Sequence, residues 1–284
     1  MMIIFHDPAC AEYGSHMRPE QPARITRSVA HLRPAHPEWA WRQPHLADES
    51  ILLTAHTPAL LRRLQQPGNI DEDTPHFPGI YDHARRAVGA ALDAAKSALA
   101  GERAFSLMRP PGHHCTRKQA MGFCYLNPIA IAALHAVASG QRVAVWDFDA
   151  HHGNGTEDIL EGRAGLLFTS VHQYPGYPGT GTSSTDNCKN FPVAPHSPRE
   201  SHLSALAQSW EAVLGFNPDL VLVSAGFDAY ARDPITQMSL EPPDFTELGR
   251  WLRQSGRPAA AILEGGYSPD LPVLIDAFLS AWEK

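Results

Sequence analysis

Six short apolar runs punctuate the chain: MIIF (2–5), AFSLM (104–108), RVAVWDF (142–148), GLLFTSV (165–171), DLVLVSAG (219–226) and AAAILEG (259–265). Several are apolar at consecutive positions, the pattern of strands buried on both faces of a parallel sheet. Helical patterning fills the gaps. Residues 82–100 are rich in alanine and stop before Gly101; residues 128–139 follow Asn127, a candidate N-cap, with Pro128 in the first turn. A further helix pattern covers 201–214, Asp244 and Glu247 predict a capping box before a helix to about Gln254, and Ser268 and Pro269 open a last helix through LPVLIDAFLSAW. Strands alternating with helices predict one open α/β domain over residues 1–284, with a mainly parallel central sheet flanked by helices. Segment 65–80 reads as a long surface loop, and the polar stretches 172–190 and 226–243 as long loops after strands. Sites in such folds gather at the carboxyl ends of the strands.

Composition narrows the partners. With 43% hydrophobic residues in 284, the chain has enough apolar material for a substantial core. Lys and Arg total 23 against 30 Asp and Glu, a net charge of -7, and no basic block stands out. That argues against nucleic acid or an anionic membrane as a steady partner. No stretch approaches the roughly 20 apolar residues that span a bilayer. The opening MMIIFHDPAC lacks the basic start and long apolar run of a signal peptide, so a cytoplasmic protein is expected. Cys10, Cys115, Cys124 and Cys188 form no CxxC pair, which argues against a zinc knuckle and fits a reducing compartment.

The chemistry concentrates at strand ends. In WDFDAHHGNGT (146–156), Asp147, Asp149 and His151 share one parity. Continued strand geometry would turn these three to one side, and Trp146 and Phe148 into packing. Asp149 and His151 suit a metal ion, and Asp228, after LVLVSAGF, is the candidate third ligand. Two carboxylates and an imidazole leave an open position, as catalytic metal sites require; zinc and iron(II) both fit these donors. Taken singly, Asp149 reads as a cap and His151 as a surface histidine; their joint placement favours the metal. RPPGHHC (109–115) offers His113 and His114 as a general base and a positively charged neighbour. Asp147 and Asn154 are candidate acceptors for their second nitrogens, and a carboxylate stabilises an imidazolium more than an amide does. A solvated loop or a second metal site is the plainer alternative. EGGY (264–267) would present Tyr267 as a donor to a developing oxyanion, although ordinary packing explains a lone tyrosine as well. MGFCYLN (121–127) and HQYPGYPGTG (172–181) bring Phe123, Tyr174 and Tyr177 as candidate walls of a channel for an aliphatic chain. Dinucleotide, Walker and GxSxG signatures do not occur.

Together with HDPAC, RPEQPARI, HTPALLRRL and DEDTPHFPGIYDHARRAVGA, these motifs resemble the histone deacetylase family, in the broad group with acetylpolyamine amidohydrolases and acetoin-utilisation proteins. The resemblance spans nearly the whole chain. It implies an arginase-like α/β fold, zinc on Asp149, His151 and Asp228, His114 as base and then acid, and His113 as electrostatic helper. It also places Asp147 and Asn154 behind the two histidines, Tyr267 at the transition state, and Gly122, Phe123 and Tyr177 along the channel. HHGNGT is similar to the class II branch. The resemblance alone implies a structural potassium ion at Asp147, Asp149 and oxygens near His151, Ser170 and Val171. The implied reaction removes an acetyl or other acyl group from N-acetyl-lysine in peptides or proteins. An acetylpolyamine or other small acetylated amine is the alternative, with Asp233 or Glu241 as the acidic contact it would need. An arginase-like ureohydrolase needs a carboxylate-rich two-metal cluster, and a non-catalytic acetyl-lysine-binding module has no use for the full set of Asp149, His151, Asp228, His114 and Tyr267. Residues 14–22 are compact and no long insertion occurs, so little sequence is available for a lid. Nothing in the pattern sets an oligomeric state.

Overall fold

Eight strands join in one sheet, every neighbouring pair parallel, in the computed structural model, which describes residues 1–284. They are β1 (Met2–Phe5), β2 (Ala40–Arg42), β3 (Arg103–Ser106), β4 (Val143–Asp147), β5 (Leu166–Gln173), β6 (Cys188–Val193), β7 (Leu220–Ala225) and β8 (Ala259–Leu263). Their spatial order is β2-β1-β3-β8-β7-β4-β5-β6. The helices are α1 (Ala23–Ala35), α2 (Glu49–Leu52), α3 (Pro58–Leu64), α4 (Ile80–Leu99), α5 (Pro128–Ala138), α6 (Asn154–Leu160), α7 (Arg199–Phe216), α8 (Pro242–Gln254) and α9 (Leu271–Glu283). This is the α/β architecture with a parallel sheet that the alternating pattern predicts. No helix is long and apolar enough to cross a membrane.

The interior strands are buried along their full length, which is why β4, β7 and β8 read as unbroken apolar runs. Trp146 turns to the side of α7, α8 and α9: its ring meets Trp210 and Trp251, its Nε1 donates to Ser209 Oγ at 3.0 Å, and Phe148 packs on Phe278. The alanine-rich α4 and the apolar α5 pack on β3, β8, β7 and β4. Asn127 caps α5 as its sequence context predicts, with Oδ1 accepting from Ala130 N at 3.0 Å. Its Nδ2 also donates to Cys115 O and Thr156 Oγ1, so one buried amide joins α5, α6 and the loop carrying the paired histidines.

Several elements escape the apolar pattern. β2 is three residues long, and β6 (CKNFPV) mixes buried, half-exposed and exposed positions at the sheet's edge. The short helices α2, α3 and α6 and the arginine-rich α1 likewise lack a long apolar stripe. The capping box of α8 lies one turn earlier than predicted: Glu241 is the N-cap and Asp244 the N3 partner. Pro242 makes this start favourable, since the first helical position needs no N–H. Glu247 sits inside the helix and accepts from Trp251 Nε1 at 2.8 Å. The last helix begins at Leu271, after Asp270, slightly beyond the expected opening.

Helices α8 and α9 cross at Gly249, where a Cβ would lie 2.1 Å from the carbonyl oxygen of Phe278. Backbone cannot yield there as a side chain can. Gly249→Ala is expected to lower unfolding free energy by about 1–3 kcal/mol, read as a lower urea midpoint with an unchanged slope.

Candidate metal centre and active-site cleft

Four adjacent strands deliver the four motifs. In spatial order β3, β8, β7 and β4 end in the loops holding RPPGHH, EGGY, GFD and DFDAHH. Sequence neighbours could not reveal this adjacency, because these strands are far apart in the chain. β4 stops at Asp147, so strand alternation does not carry Asp149 and His151 to one side. A ladder of side-chain bonds does so instead. Asp147 Oδ1 accepts from Asp149 N at 3.1 Å, and Asp149 Oδ1 accepts from His151 N at 2.9 Å.

Asp149, His151 and Asp228 each point one donor atom into a space where all three lie within 4.8 Å of one another. His151 Nδ1 is 2.9 Å from Asp228 Oδ2 and 3.2 Å from Asp149 Oδ1. Both carboxylates are fully buried. Their remaining oxygens accept backbone N–H groups: Asp149 Oδ2 from Gly265 at 2.7 Å, Asp228 Oδ1 from Ala150 at 2.8 Å. Burial and the negative charge of Asp149 push the Asp228 carboxyl up. Burial also acts upward on Asp149, but His113 and His151 outweigh it and hold that carboxyl below its ordinary range. Two buried like charges sharing one imidazole have the composition and convergence of a divalent-cation site, and the donor set fits zinc or iron(II). Close packing requires glycine around them: a Cβ on Gly226 would lie 2.0 Å from Asp149 Oδ2, and one on Gly265 within 2.5 Å of both carboxylates.

Beside this triad the two histidine rings stand 4.0 Å apart with different partners. His113 Nδ1 is 3.0 Å from Asp147 Oδ2, and His114 Nδ1 is 2.8 Å from Asn154 Oδ1. An amide oxygen can only accept, so His114 carries its proton on Nδ1 and keeps Nε2 as an acceptor. Burial works against charge on His113, yet the carboxylates of Asp149 and Asp147 outweigh it and lift the imidazole to about 10. Burial, with positive His113 and His151 nearby, holds His114 well below the usual histidine range.

A cleft of about 270 Å³ opens onto these groups, lined by His114, His151 and Tyr267 together with Gly122, Phe123 and Tyr177. The rings of Phe123 and Tyr267 are 5.7 Å apart, and Tyr177 stands edge-on to His114 at 5.0 Å. Gly122 leaves room for this: a Cβ there would sit 2.7 Å from His114 and 2.9 Å from Tyr177. Tyr174 lies outside the cleft. Larger surface hollows exist, one of about 550 Å³ beside α4 and α5, but this cleft is the one that reaches the candidate triad, through His151. Neither acidic residue expected at the mouth is there. Asp233 is buried and accepts from Tyr267 N at 2.8 Å and Ile235 N at 3.1 Å, while Glu241 caps α8 and faces Arg232. Arg18 and Asp73 line the mouth instead.

The sequence profile of the histone deacetylase domain matches residues 18–281. A probable deacetylase of Methanothermobacter thermautotrophicus is 35% identical over 286 residues, spanning 95% of this chain and 86% of its own. Among solved structures, the HDA15 HD domain superposes with a TM-score of 0.92 at 29% identity, covering 100% of this chain and 91% of that one. An acetylpolyamine aminohydrolase from Burkholderia pseudomallei gives 0.91 at 26% identity, covering 99% and 98%. The chain belongs to the histone deacetylase family. Family membership and a candidate metal triad support hydrolysis of acylated amines as its general activity.

Within this histone deacetylase domain a second layer holds the cleft, and the sequence reading assigned no role to its residues. Glu264 Oε2 accepts from Gly112 N at 2.7 Å and His113 N at 3.2 Å, pinning the histidine loop to the end of β8. Burial raises its carboxyl to about 7. Arg24 donates to the carbonyls of Gly266 and Glu264, fixing the EGGY turn, and its guanidinium lies 4.8 Å from the Tyr267 ring centre. Glu20 pairs with both Arg24 and the fully buried Arg109. Arg109 and Glu264 stand inside motifs already singled out, so charged residues in otherwise apolar strand ends were their signal.

Gly265→Ala is expected to preserve the fold while weakening metal uptake about 10- to 100-fold, the scale for disturbing groups around metal ligands. Chelator competition against zinc, with the thermal midpoint of the metal-free protein alongside, checks it.

Proposed function

We propose that this chain is a metal-dependent deacetylase acting on an N-acetylated primary amine, with the N-acetyl-lysine side chain as the chemical type of its substrate. The observation carrying this reading is the unequal pair of histidines beside the triad. One imidazole is held charged by a carboxylate and the other kept neutral by an amide. Such a pair supplies a fixed positive charge and a proton acceptor at adjoining points.

Asp149, His151 and Asp228 would hold the cation, zinc in the first place and iron(II) by the same donors. When bound, it supplies Lewis-acid polarisation and acidifies a water. The chain's own groups do the rest. Phe123, Tyr177 and the Gly122 backbone guide the alkyl arm into the cleft. His114 Nε2 takes a proton from the attacking water, while its Nδ1–H stays on Asn154. The Tyr267 hydroxyl donates to the developing oxyanion, and the His113 imidazolium, held by Asp147, adds positive charge beside it. His114 then returns the proton to the departing amine. A structural potassium ion belongs to the same reading, with Ser170 in register with Asp147 on the neighbouring strand and Val171 next to it.

An acetylpolyamine is the second reading. It is favoured by Asp73, whose exposed carboxylate at the mouth suits a distant ammonium.

Acetate release from alkyl acetamides by metal-loaded protein tests the activity. Turnover that disappears on chelation and returns with zinc is expected; no release with one metal verified per chain would leave an acetyl-lysine-binding module. A pH profile tests the histidine assignment. A carboxylate behind His114 would stabilise its imidazolium and raise its pKa, so the neutral base would appear only at higher pH. Asn154→Asp should therefore move the acidic limb of kcat/KM to higher pH and leave the metal content unchanged. A limb that stays put would remove His114 from the role of base.

A further inference from the structure

Two opposite charges stand at the mouth of the cleft without a protein counter-charge. Arg18 and Asp73 both line it, on the same cavity as His114, His151 and Tyr267. Arg18 donates from Nη1 to the carbonyl of Glu72 at 2.8 Å, which ties its guanidinium to the loop residue next to Asp73. This is the only hydrogen bond its side chain makes, so Nε and Nη2 are left to donate elsewhere. Neither Arg18 nor Asp73 belongs to any ion pair of the structure, with each other or with another residue.

Complementarity at this mouth discriminates among acetylated amines by the charge each carries beyond its acetamide. Acetyl-lysine within a peptide brings an amide N–H and an amide carbonyl, which can hydrogen-bond Asp73 and Arg18 but neutralise neither charge. An acetylpolyamine brings only cations, which Asp73 attracts and Arg18 repels. A free α-amino acid brings both signs at once: a carboxylate, which suits the guanidinium fork, and an ammonium for Asp73. Size agrees. A cleft of about 270 Å³ falls just below the roughly 300–1,000 Å³ typical of drug-sized ligand sites, a size for one acetylated amino acid with its arm inward.

We infer that the substrate is a free α-amino acid acetylated on its side-chain amine, of the acetyl-lysine or acetyl-ornithine type, with its zwitterionic head held between Arg18 and Asp73. This rests on the deacetylase reading of the cleft and specifies its substrate. One water is consumed, the acetamide C–N bond breaks, and acetate leaves with the free amino acid, so the reaction lies downstream of a step that acetylates the side-chain amine.

The test is kcat/KM of the metal-loaded full chain on a matched series. Nε-acetyl-lysine carries both charges, N-acetylcadaverine lacks the carboxylate, 6-acetamidohexanoate lacks the ammonium, and N-pentylacetamide lacks both. Acetyl-lysine amidated at its carboxyl and acylated at its α-amine stands for a peptide. Free acetyl-lysine should exceed each of the others by about tenfold or more, the effect of one well-placed charged hydrogen bond. Arg18→Leu should abolish its advantage over N-acetylcadaverine, and Asp73→Asn its advantage over 6-acetamidohexanoate. Arg18→Glu should reverse the first preference. N-acetylcadaverine or the doubly capped lysine matching or exceeding free acetyl-lysine in the parent protein would overturn the inference and leave deacetylation standing. Variants that slow all five compounds equally would overturn it too. Release from none of them would remove the deacetylase reading, and this inference with it.

Discussion

Two fully buried carboxylates, Asp149 and Asp228, converge on one imidazole at the carboxyl edge of the sheet, and much else in the molecule exists to keep them there. Burying a charge costs several kcal/mol even after relaxation. The cost is met in layers. Backbone N–H groups from Gly265, His151 and Ala150 satisfy the outward lone pairs, and the inward oxygens share His151. Each of those N–H groups lies in a loop after β4 or β8, while Asp228 itself comes from the loop after β7, so the site needs these three strands side by side. Parallel pairing places all three carboxyl ends on one edge. Gly226 and Gly265 follow from the same demand, because any side chain at either position would occupy the space of a ligand oxygen.

Loops alone would not hold such a site, and a buried ionic chain behind them takes that role. Glu264 holds the histidine loop, Arg24 holds the turn that carries Tyr267, and Glu20 joins Arg24 to Arg109 at the root of the histidine loop. The N-terminal segment therefore reaches the catalytic edge although it contributes no metal donor. Asp233 acts similarly on the opposite wall, where its two oxygens fasten Tyr267 and Ile235, both of which line the cleft.

Much of this was readable from residues alone, and the limits are physical. Buried parallel strands announce themselves as apolar runs, which is why the six strands β1, β3, β4, β5, β7 and β8 are legible while the three-residue β2 and the half-exposed β6 are not. Asn127 was legible as a cap because Pro128 follows it; at α8 a second proline moved the start a turn earlier than Asp244 alone suggests. The triad and the paired histidines stand out because ionisable residues cluster where strands end. Parity was the wrong reason for the convergence of Asp149 and His151, since the strand stops at Asp147. The mouth was illegible for a different reason. Arg18 and Asp73 come from two polar loops distant in sequence, and nothing in their local context distinguishes them from solvated surface charges.

Charge balance bears on why Glu264 sits beside the candidate metal triad. Asp147, Asp149 and Asp228 carry three negative charges when ionised, and the His113 imidazolium together with a divalent cation would carry three positive ones. A fourth ionised carboxylate in the same buried region adds to that negative charge, and the guanidinium at hand, Arg24 on the Glu264 carbonyl, is already paired with Glu20. Glu264 avoids this by its surroundings. It is fully buried, one oxygen accepts two backbone N–H groups, the other has no partner, and burial raises it to about 7. A carboxyl whose ionisation burial opposes can still pin the histidine loop, through the two backbone N–H groups it accepts. A glutamine in its place would keep the acceptor but put two donor protons where the unpartnered oxygen now sits, one more than a protonated carboxyl carries. The residue is thus suited to holding the loop because burial opposes its charge, whereas Asp149 suits a cation because His113 and His151 preserve its acidity.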